Sequence, residues 1–221
     1  LPFEVVGIVK DWANAPRQFH SSLPDCNSGN LLTVVIPCFN PKLDQLDDLF
    51  LSLEQQTDQD FDLILINDGS SSDTWNLVEL KLANYPWVQV INQTINKGIS
   101  SSLNKAAENV LSPYILLLDQ DDFLHPAAIR LFNQYLKTHT NCALLYADNI
   151  SFDDNGTTAN YIPKFPWNPD ALLDFNYLIH PTVVQVDLYR ACGGMNSKYD
   201  GIQDWDFYLR LSKFVSSEDV G

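Results

Sequence analysis

Short apolar segments alternate with amphipathic segments between residues 31 and 148. The apolar segments are rich in β-branched and aliphatic residues, which is typical of strands covered on both faces. They are Leu31–Pro37, Phe61–Ile66, Trp87–Ile91, Tyr114–Leu118 and Cys142–Tyr146. Between them, apolar residues recur at helical spacing, as from Leu43 to Leu53 and from Ile99 to Val110, and Pro126 suits the first turn of a helix. This order predicts an α/β fold with a mostly parallel central sheet flanked by helices on both sides.

The pattern changes after Asp148. Asp153–Gly156 predicts a hairpin turn, Val183–Val186 a short strand, and Gln203–Val215 a final amphipathic helix. We therefore divide one domain into an irregular lead-in at residues 1–30, a first half at 31–148 and a smaller second half at 149–221. The lead-in includes a short predicted helix near Asp11–Phe19. The second half is expected to form a wall over the strand ends of the first.

Composition excludes several classes of protein. The 221 residues are 45% hydrophobic, and 13 basic against 28 acidic residues give a net charge of −15, so the chain is folded and strongly acidic. An acidic surface does not attract a nucleic-acid backbone or an anionic membrane, so no nucleic-acid partner is expected. The longest apolar segments are about half or less of the roughly 20 residues that a spanning helix needs, so no transmembrane segment is expected in this chain.

The four cysteines are Cys26, Cys38, Cys142 and Cys192, and they lie far apart without a Cys-x-x-Cys pair. This spacing suits neither a zinc site nor a small disulfide scaffold. It predicts buried free thiols in a reducing compartment.

Polar residues gather where the predicted strands of the first half end. The four clusters are Pro37-Cys38-Phe39-Asn40, Asn67-Asp68-Gly69-Ser70, Asn96-Lys97-Gly98 and Asp119-Gln120-Asp121-Asp122. Ligands of open α/β sheets bind outside the carboxyl ends of the strands. The clusters therefore predict a nucleotide pocket with an aromatic face for a base, a carboxylate for an imide N–H and small residues for phosphates.

Asp119 and Asp121 lie one residue apart after a strongly apolar strand. An acidic protein repels a diphosphate unless a divalent cation intervenes, and Mg²⁺ or Mn²⁺ binds one or two carboxylates together with substrate phosphates. The alternative is an ordinary polar turn that caps the next helix. The position after a buried strand, with three companion strand ends, favours the metal site.

A second acidic pair, Asp204 and Asp206, opens the last predicted helix. The helix dipole alone favours carboxylates there, so capping is a serious alternative, chiefly for Asp206. Asp204 follows a glycine-containing loop and is the better candidate for a general base. Trp205 between them is either an acceptor platform or a core residue, and His180 either contacts phosphate or acceptor or is a packed histidine.

These motifs together resemble those of a known family. The matching positions are Thr33–Asn40, Leu65–Ser70, Asn96–Ile99 with Asn104, Leu117–Asp122, Leu145–Asp148, Asn176-Tyr177 with His180, Gly193-Gly194, and Gly201–Asp206 with Leu209-Arg210. In order and spacing the chain resembles an inverting family 2 glycosyltransferase with the A-type nucleotide-sugar fold. It is similar in particular to bacterial members that build O-antigen and other surface polysaccharides.

The resemblance implies a role for each matching position. Residues that would contact the nucleotide sugar are Pro37, Phe39, Asn40, Asp68, Lys97, Gly98, Asp119 and Gln120. Among them Asp68 would read the base, and Asp119 would lie near the ribose or the metal. Asp121 would be the direct metal ligand and Asp204 the base that takes the acceptor proton. Gln203 stands where the family often has Glu, and Phe39 where it has Tyr.

The implied activity is metal-dependent, inverting transfer of a sugar from a nucleotide diphosphate donor, a UDP-sugar before others, to a glycan or lipid-linked glycan hydroxyl. The metal is Mn²⁺ or Mg²⁺, residues 31–148 bind the nucleotide sugar, and residues 149–221 carry the acceptor site and the base. The resemblance also implies a cytoplasmic location, with association at the inner membrane face through parts outside this chain, and a further C-terminal segment rich in His, Trp and Arg. One alternative is a catalytically impaired nucleotide-binding module. A sugar nucleotidyltransferase is disfavoured, because Pro37–Pro41 lacks a Gly-rich loop with Arg. The residues leave the base open among uracil, thymine and guanine.

Overall fold

The computed structural model describes residues 29–152 and 159–221. The helix predicted near Asp11–Phe19, Cys26 and the turn predicted at Asp153–Gly156 lie outside the described residues.

The described residues form eight strands and six α-helices. The strands are β1 Leu32–Cys38, β2 Asp62–Asp68, β3 Gln89–Gln93, β4 Tyr114–Leu117, β5 Leu144–Tyr146, β6 Asn149–Phe152, β7 Ala159–Ile162 and β8 Thr182–Gln185. The helices are α1 Leu43–Glu54, α2 Ser72–Leu82, α3 Ile99–Ala107, α4 Ala128–Thr138, α5 Val186–Ala191 and α6 Gln203–Leu211.

Six strands form the central sheet in the order β3-β2-β1-β4-β8-β5, and β6 and β7 form a separate antiparallel pair. Strands β1 to β4 run parallel, whereas β8 is antiparallel to both β4 and β5. The predicted α/β fold with a mostly parallel sheet flanked by helices is confirmed.

One part of the predicted topology is wrong. The segment around β5 was expected to close the parallel series, but β8 from the second half lies between β4 and β5. All four residues of β8 are buried, so the strand needs a ladder on each side, and a sheet interior provides both. The second half is therefore part of the sheet as well as a wall over it.

The two faces of the sheet are covered by different helices. In β1, Val35 packs into the core formed with α3, α5 and α6, whereas Val34 and Ile36 pack into the core formed with α1, α2 and α4. This follows from the alternation of side chains along a strand. Each fully buried aliphatic side chain contributes about 1.5–3 kcal/mol through removal of apolar surface from water.

Three helix boundaries differ from the prediction. Helix α3 ends at Ala107 rather than Val110, and α6 ends at Leu211 rather than Val215. In both, the chain tightens into bonds between residues three apart, such as Asn109 N to Ala106 O at 2.8 Å, which is typical of a terminal 3₁₀ turn. Helix α4 begins at Ala128, because Pro126 lies in a preceding turn in which Ala128 N donates to His125 O at 2.8 Å.

The sheet divides at the carboxyl ends of β1 and β4. Strand β1 pairs with β4 only up to Val35, but it continues beside β2 to Cys38. The carbonyls of Leu31 and Val35 accept bonds from β4, so Pro37 also faces that side, where its missing N–H costs no ladder bond. Strand order reverses between β1 and β4, and open α/β sheets bind ligands at such a crevice.

The three described cysteines, Cys38, Cys142 and Cys192, are free thiols. Burial raises the pKa of each to about 12, so all three are protonated near neutral pH. None of the helices in residues 29–152 and 159–221 is both long enough and apolar enough to cross a bilayer.

Candidate active site

The loops after β1 and β4 are tied together at the crevice. Phe39 N donates to Gln120 Oε1 at 2.9 Å, and Gln120 Nε2 donates to Phe39 O at 3.4 Å. The middle residue of Asp119-Gln120-Asp121 therefore fixes the acidic loop against β1. The Phe39 side chain is 44% exposed, so its ring is accessible at the crevice.

A second tie joins the loops after β1 and β2. Asn40 has a φ of 44°, in the left-handed region, and its backbone N–H donates to Ser70 Oγ at 2.9 Å. Its side-chain carbonyl accepts from Ser71 N at 2.8 Å. Asparagine tolerates this conformation, and the two bonds satisfy the backbone amides of Asn40 and Ser71 at the crevice rim.

Asp68 ends β2 and is buried, with 3% of its surface exposed. Its Oδ1 accepts from Lys97 N at 2.8 Å and from Gln93 Nε2 at 3.1 Å, and its Oδ2 accepts from Gly98 N at 2.9 Å. Both carboxylate oxygens thus hold the loop that precedes α3. The structure shows a loop-positioning role for Asp68, and its reading of a base stays a prediction.

Two glycines let these loops approach closely. Gly69 has a φ of +69°, and a Cβ there would lie 2.4 Å from backbone atoms of Ile95 and Asn96. Gly98 has a φ of +88°, and a Cβ there would lie 2.2 Å from Asp200 Oδ2. Both positions have positive φ, which favours glycine, and at Gly69 the close neighbour is backbone that cannot easily move.

Asp200 connects the second half to the start of α3 and the glycine that precedes it. Its Oδ1 accepts from Ser100 N at 3.3 Å, in the first turn of α3. Because Asp200 precedes Asp204 by four residues, this contact brings the start of α6 to the same crevice as Gly98.

Acidic side chains from both halves of the domain affect the pKa of Asp119. Burial raises the pKa of Asp119, the charges of Asp121 and Asp204 raise it further, and His180 opposes the shift. His180 Nε2 lies 4.0 Å from Asp119 Oδ2. Burial and Asp119 raise the pKa of Asp122 to about 6. The charges of Asp121, from the first half, and Asp204, from the second half, thus both act on Asp119.

This donor set fits a divalent ion of the Mg²⁺ or Mn²⁺ type. The described residues contain no group of three or more His, Cys, Asp and Glu side chains that could hold a metal ion. Mg²⁺ needs no such cage, since it binds one or two carboxylates and completes its shell with phosphates and water. A cation would also favour the ionised form of Asp119, whose pKa is raised first by burial and then by the charges of Asp121 and Asp204.

Asp204 lies in the first turn of α6, and its position is held by a neighbouring amide. Asn176 Nδ2 donates to Asp204 Oδ2 at 2.7 Å. The preceding Gln203 turns back into its own loop, where its Oε1 accepts from Gly201 N at 2.7 Å. Beneath Asp204, the buried Tyr208 hydroxyl bonds Thr182 Oγ1 at 2.7 Å, and burial together with the Asp204 charge raises the pKa of Tyr208.

Asp206 has a different environment from Asp204. It is 1% exposed and accepts two bonds from Arg210, at 2.9 Å from Nε and 2.6 Å from Nη2. Arg210 Nη2 also donates to Gly194 O at 2.7 Å. Asp206 is therefore half of an internal ion pair rather than a helix cap.

The structure also shows the surroundings of Trp205 and His180, the two residues whose roles the sequence left open. Trp205 packs against the core, and its indole N–H donates to Leu172 O at 2.6 Å, so it has the core role. The His180 side chain is 11% exposed. Its Nδ1 is buried without a hydrogen-bond partner among the described residues, while the ring faces Asp119.

The family model described as Glycosyl transferase family 2 matches residues 33–189. The chain belongs to glycosyl transferase family 2. The matched range contains every proposed nucleotide and metal residue, and it ends before Asp204.

Curated relatives of this family 2 chain include a bacterial synthase and a bacterial polymerase. It is 29% identical to chondroitin synthase of Escherichia coli over 83% of the chain and 26% of the relative. It is 33% identical to teichoic acid poly(glycerol phosphate) polymerase of Staphylococcus epidermidis over 85% of the chain and 26% of the relative. The chain spans about a quarter of the length of these proteins.

Solved structures confirm the fold of the family 2 chain. S. aureus TarS 1-349 in complex with UDP superposes with a TM-score of 0.62 at 17% identity, over 83% of this chain and 54% of that one. Mannosyltransferase PcManGT from Pyrobaculum calidifontis, in complex with GDP-Man and Mn²⁺, superposes with a TM-score of 0.61 at 15% identity, over 98% of this chain and 62% of that one. The predicted A-type glycosyltransferase fold and glycosyltransferase class are confirmed.

Sequence reasoning gave no role to two asparagines that organise the family 2 site. One is Asn176, described above. The other is Asn104, which exchanges two bonds of 2.8 Å with the backbone of Met195 and accepts from Tyr189 OH at 2.9 Å. An amide beside the apolar residues Leu103 and Ala106 of α3 was the available signal, since a buried polar side chain needs partners.

Proposed function

We propose that this domain transfers a sugar from a nucleotide diphosphate donor, a UDP-sugar before others, to a hydroxyl of a glycan or lipid-linked glycan, with inversion at the anomeric carbon. The observation that carries the proposal is the placement of Asp119 after β4, at the crevice between β1 and β4, 4.0 Å from His180 of the second half and subject to the charges of both Asp121 and Asp204. Asp119 and Asp121 suit the binding of a cation with its diphosphate, and Asp204 suits the role of proton acceptor.

The donor side is assigned to residues 31–148. The exposed Phe39 ring offers a face for the base, and Lys97 and Gly98 lie on the loop that Asp68 holds. Asp121, with Asp119, would hold Mn²⁺ or Mg²⁺, which would offset the negative charge of the departing diphosphate. PcManGT in complex with GDP-Man and Mn²⁺, and TarS in complex with UDP, support a nucleotide-sugar donor.

The acceptor side is assigned to residues 149–221. Asn176 occupies Oδ2 of Asp204, and among the described residues no hydrogen bond reaches Oδ1. Asp204 Oδ1 would take the proton of the acceptor hydroxyl as its oxygen attacks the anomeric carbon opposite the diphosphate. One displacement from the opposite face inverts the anomeric centre. The bond to the diphosphate breaks as the new glycosidic bond forms, and the proton stays on Asp204.

Calorimetry with UDP and Mn²⁺, together with a donor-hydrolysis assay, tests the proposal. The parent should bind UDP in the presence of Mn²⁺, and Asp121→Ala should weaken binding at least tenfold. Asp48→Ala, which removes an exposed carboxylate from α1, is the matched control and should bind as the parent does. Equal UDP binding by Asp121→Ala and the parent contradicts the metal assignment.

The alternative of an impaired nucleotide-binding module is favoured by one observation. Gln203 places a neutral amide, turned toward Gly201, where the resemblance expects Glu. Binding of UDP without any transfer or hydrolysis by the natural full-length protein would support this alternative. The cytoplasmic location and the membrane association implied by the resemblance stay predictions.

A further inference from the structure

A cavity of about 500 Å³ is lined by residues that precede Asn176, the residue that donates to Asp204. We call it the aromatic groove, and it is lined by Phe165, Pro166, Trp167, Asn168, Ala171 and Phe175. Its volume falls within the roughly 300–1,000 Å³ of small-molecule sites. None of the nucleotide or metal residues assigned above lines it.

Two phenylalanine rings form the open walls of the aromatic groove. Phe165 is 54% exposed and Phe175 is 45% exposed. Their ring centroids lie 5.9 Å apart with the planes at 77°. Both pack on the ring of buried Tyr177, at 6.0 and 6.1 Å. The phenylalanines are therefore held from below while their outer faces are open.

The groove is rigidly connected to the proposed base. Tyr177 OH accepts from Asn168 N at 2.9 Å, which fixes the rim of the groove to its floor. Asn176, between Phe175 and Tyr177, donates to Asp204 at 2.7 Å. Trp205 joins α6 to the same segment through its bond to Leu172 O at 2.6 Å. The aromatic wall thus begins one residue from the side chain that orients Asp204.

The chemistry of the lining identifies the ligand class. None of the six described lining residues carries a charge, so a phosphate or carboxylate would find no cation within the groove. Asn168 adds a polar group at the rim, and its side-chain nitrogen makes no hydrogen bond to the described residues. A pyranose has an apolar face of C–H groups and a rim of hydroxyls, which matches two aromatic faces beside one amide.

We propose that the aromatic groove binds a neutral pyranose ring of the acceptor glycan against Phe175 and Phe165, so that a hydroxyl of this sugar reaches Asp204. This inference rests on the proposed function, because it names the acceptor that the base serves. A lipid chain would need only an apolar surface, whereas a pyranose ring needs an aromatic face. Replacing an aromatic side chain by an aliphatic one therefore distinguishes a pyranose from a lipid chain.

Saturation-transfer NMR with the methyl β-pyranosides of glucose, galactose and N-acetylglucosamine tests this. The protein should saturate ring protons of at least one pyranoside. The signal should fall at least fivefold in Phe175→Ala and Phe175→Leu, and it should persist in Phe175→Trp. Leu80→Ala, which removes a 71% exposed apolar side chain from α2, the helix whose Trp75 and Val78 pack on the other face of the sheet, is the control and should keep the signal. Circular dichroism and thermal melts confirm that each variant is folded.

Two results would overturn the inference: no pyranoside gives a signal that depends on Phe175, or Phe175→Leu binds pyranosides as the parent does. UDP and Mn²⁺ calorimetry on the same variants separates this failure from failure of the proposed function. Unchanged UDP binding with lost pyranoside binding in Phe175→Ala supports the groove. If the parent binds UDP but no pyranoside, the groove proposal fails and the proposed function stands. If the parent binds a pyranoside but no UDP, the proposed function is contradicted.

Discussion

The Asn176 side-chain amide donates a hydrogen bond of 2.7 Å to Oδ2 of Asp204. The other end of this amide accepts from Leu178 N at 3.1 Å, so its orientation is fixed by the backbone. The bond selects which carboxylate oxygen faces the crevice. Asn176 is thereby a positioning residue, because it acts on the acceptor only through Asp204.

Replacing Asn176 by Ala should lower kcat about 10–100-fold, because a base displaced by about 1 Å loses much of its rate advantage. The KM for the donor should stay within twofold, since among the described residues the side-chain hydrogen bonds of Asn176 go to Asp204 and Leu178, both in the second half. Steady-state transfer kinetics measure this, with Asn109→Ala as a matched control at the end of α3. An increase in donor KM with kcat unchanged would show that Asn176 serves the donor instead.

The neighbouring acids Asp204 and Asp206 should respond oppositely to substitution. Asp204→Asn should reduce transfer about 10²–10⁴-fold, the usual contribution of a general base, and leave the melting temperature nearly unchanged. Asp206→Ala should destabilise the fold by about 3–5 kcal/mol, because it leaves Arg210 unpaired in the interior. Urea denaturation and activity of both variants test the contrast. Activity loss without loss of stability in Asp206→Ala would argue for a direct catalytic role.

Gly69→Ala should disrupt the nucleotide side of the crevice. The substitution forces a side chain into positive φ and against the backbone of Ile95 and Asn96, at a cost of about 1–3 kcal/mol for the strained conformation alone. UDP affinity should fall, because the loop that carries Lys97 and Gly98 must move. Gly193→Ala is the control, since it shares positive φ but a Cβ there meets no atom within 4 Å. Equal UDP affinity in the two variants would contradict the close-approach argument.

The order of β1 to β5 and α1 to α4 was predictable, because most of these strands lie in apolar runs and the helices between them repeat apolar residues at helical spacing, whereas β6, β7 and α5 were not predicted. The insertion of β8 was not, because Val183 and Val184 look the same whether they lie at an edge or in the centre of a sheet. Hydrophobic periodicity reports burial, and it does not report which strand is the neighbour. The antiparallel direction of β8 follows only from the path of the chain through the second half.

The sequence predicted which loops form the candidate site, but it did not predict the contacts between their side chains. Clusters at strand ends placed Asp68, Asp119 and Asp121 at one edge, since parallel strands end together. The tie between Gln120 and Phe39 and the hold of Asn176 on Asp204 join residues 81 and 28 positions apart. Such pairs carry no local pattern, so only the folded chain reveals them.

Lys164 offers a test of the second half through pH. Burial lowers the pKa of Lys164 from an ordinary 10.5 to about 8, against the opposing charge of Asp148. Between pH 8 and 10.5 the unfolded chain therefore binds a proton that the folded chain has released, so this group makes the fold more stable as pH rises. Below pH 8 both states carry the charge, and the penalty is constant. Lys164→Met should remove this dependence.

The stability difference between Lys164→Met and the parent should fall by about 1–2 kcal/mol from pH 8 to 10.5, less than the full shift implies because the site is only half-buried. Urea denaturation at half-unit pH intervals measures it. Lys42→Met, which removes an exposed lysine ahead of α1, reports the effect of losing one positive charge. A stability difference that does not change across this pH range would show that the Lys164 ammonium is as well solvated in the fold as in the unfolded chain.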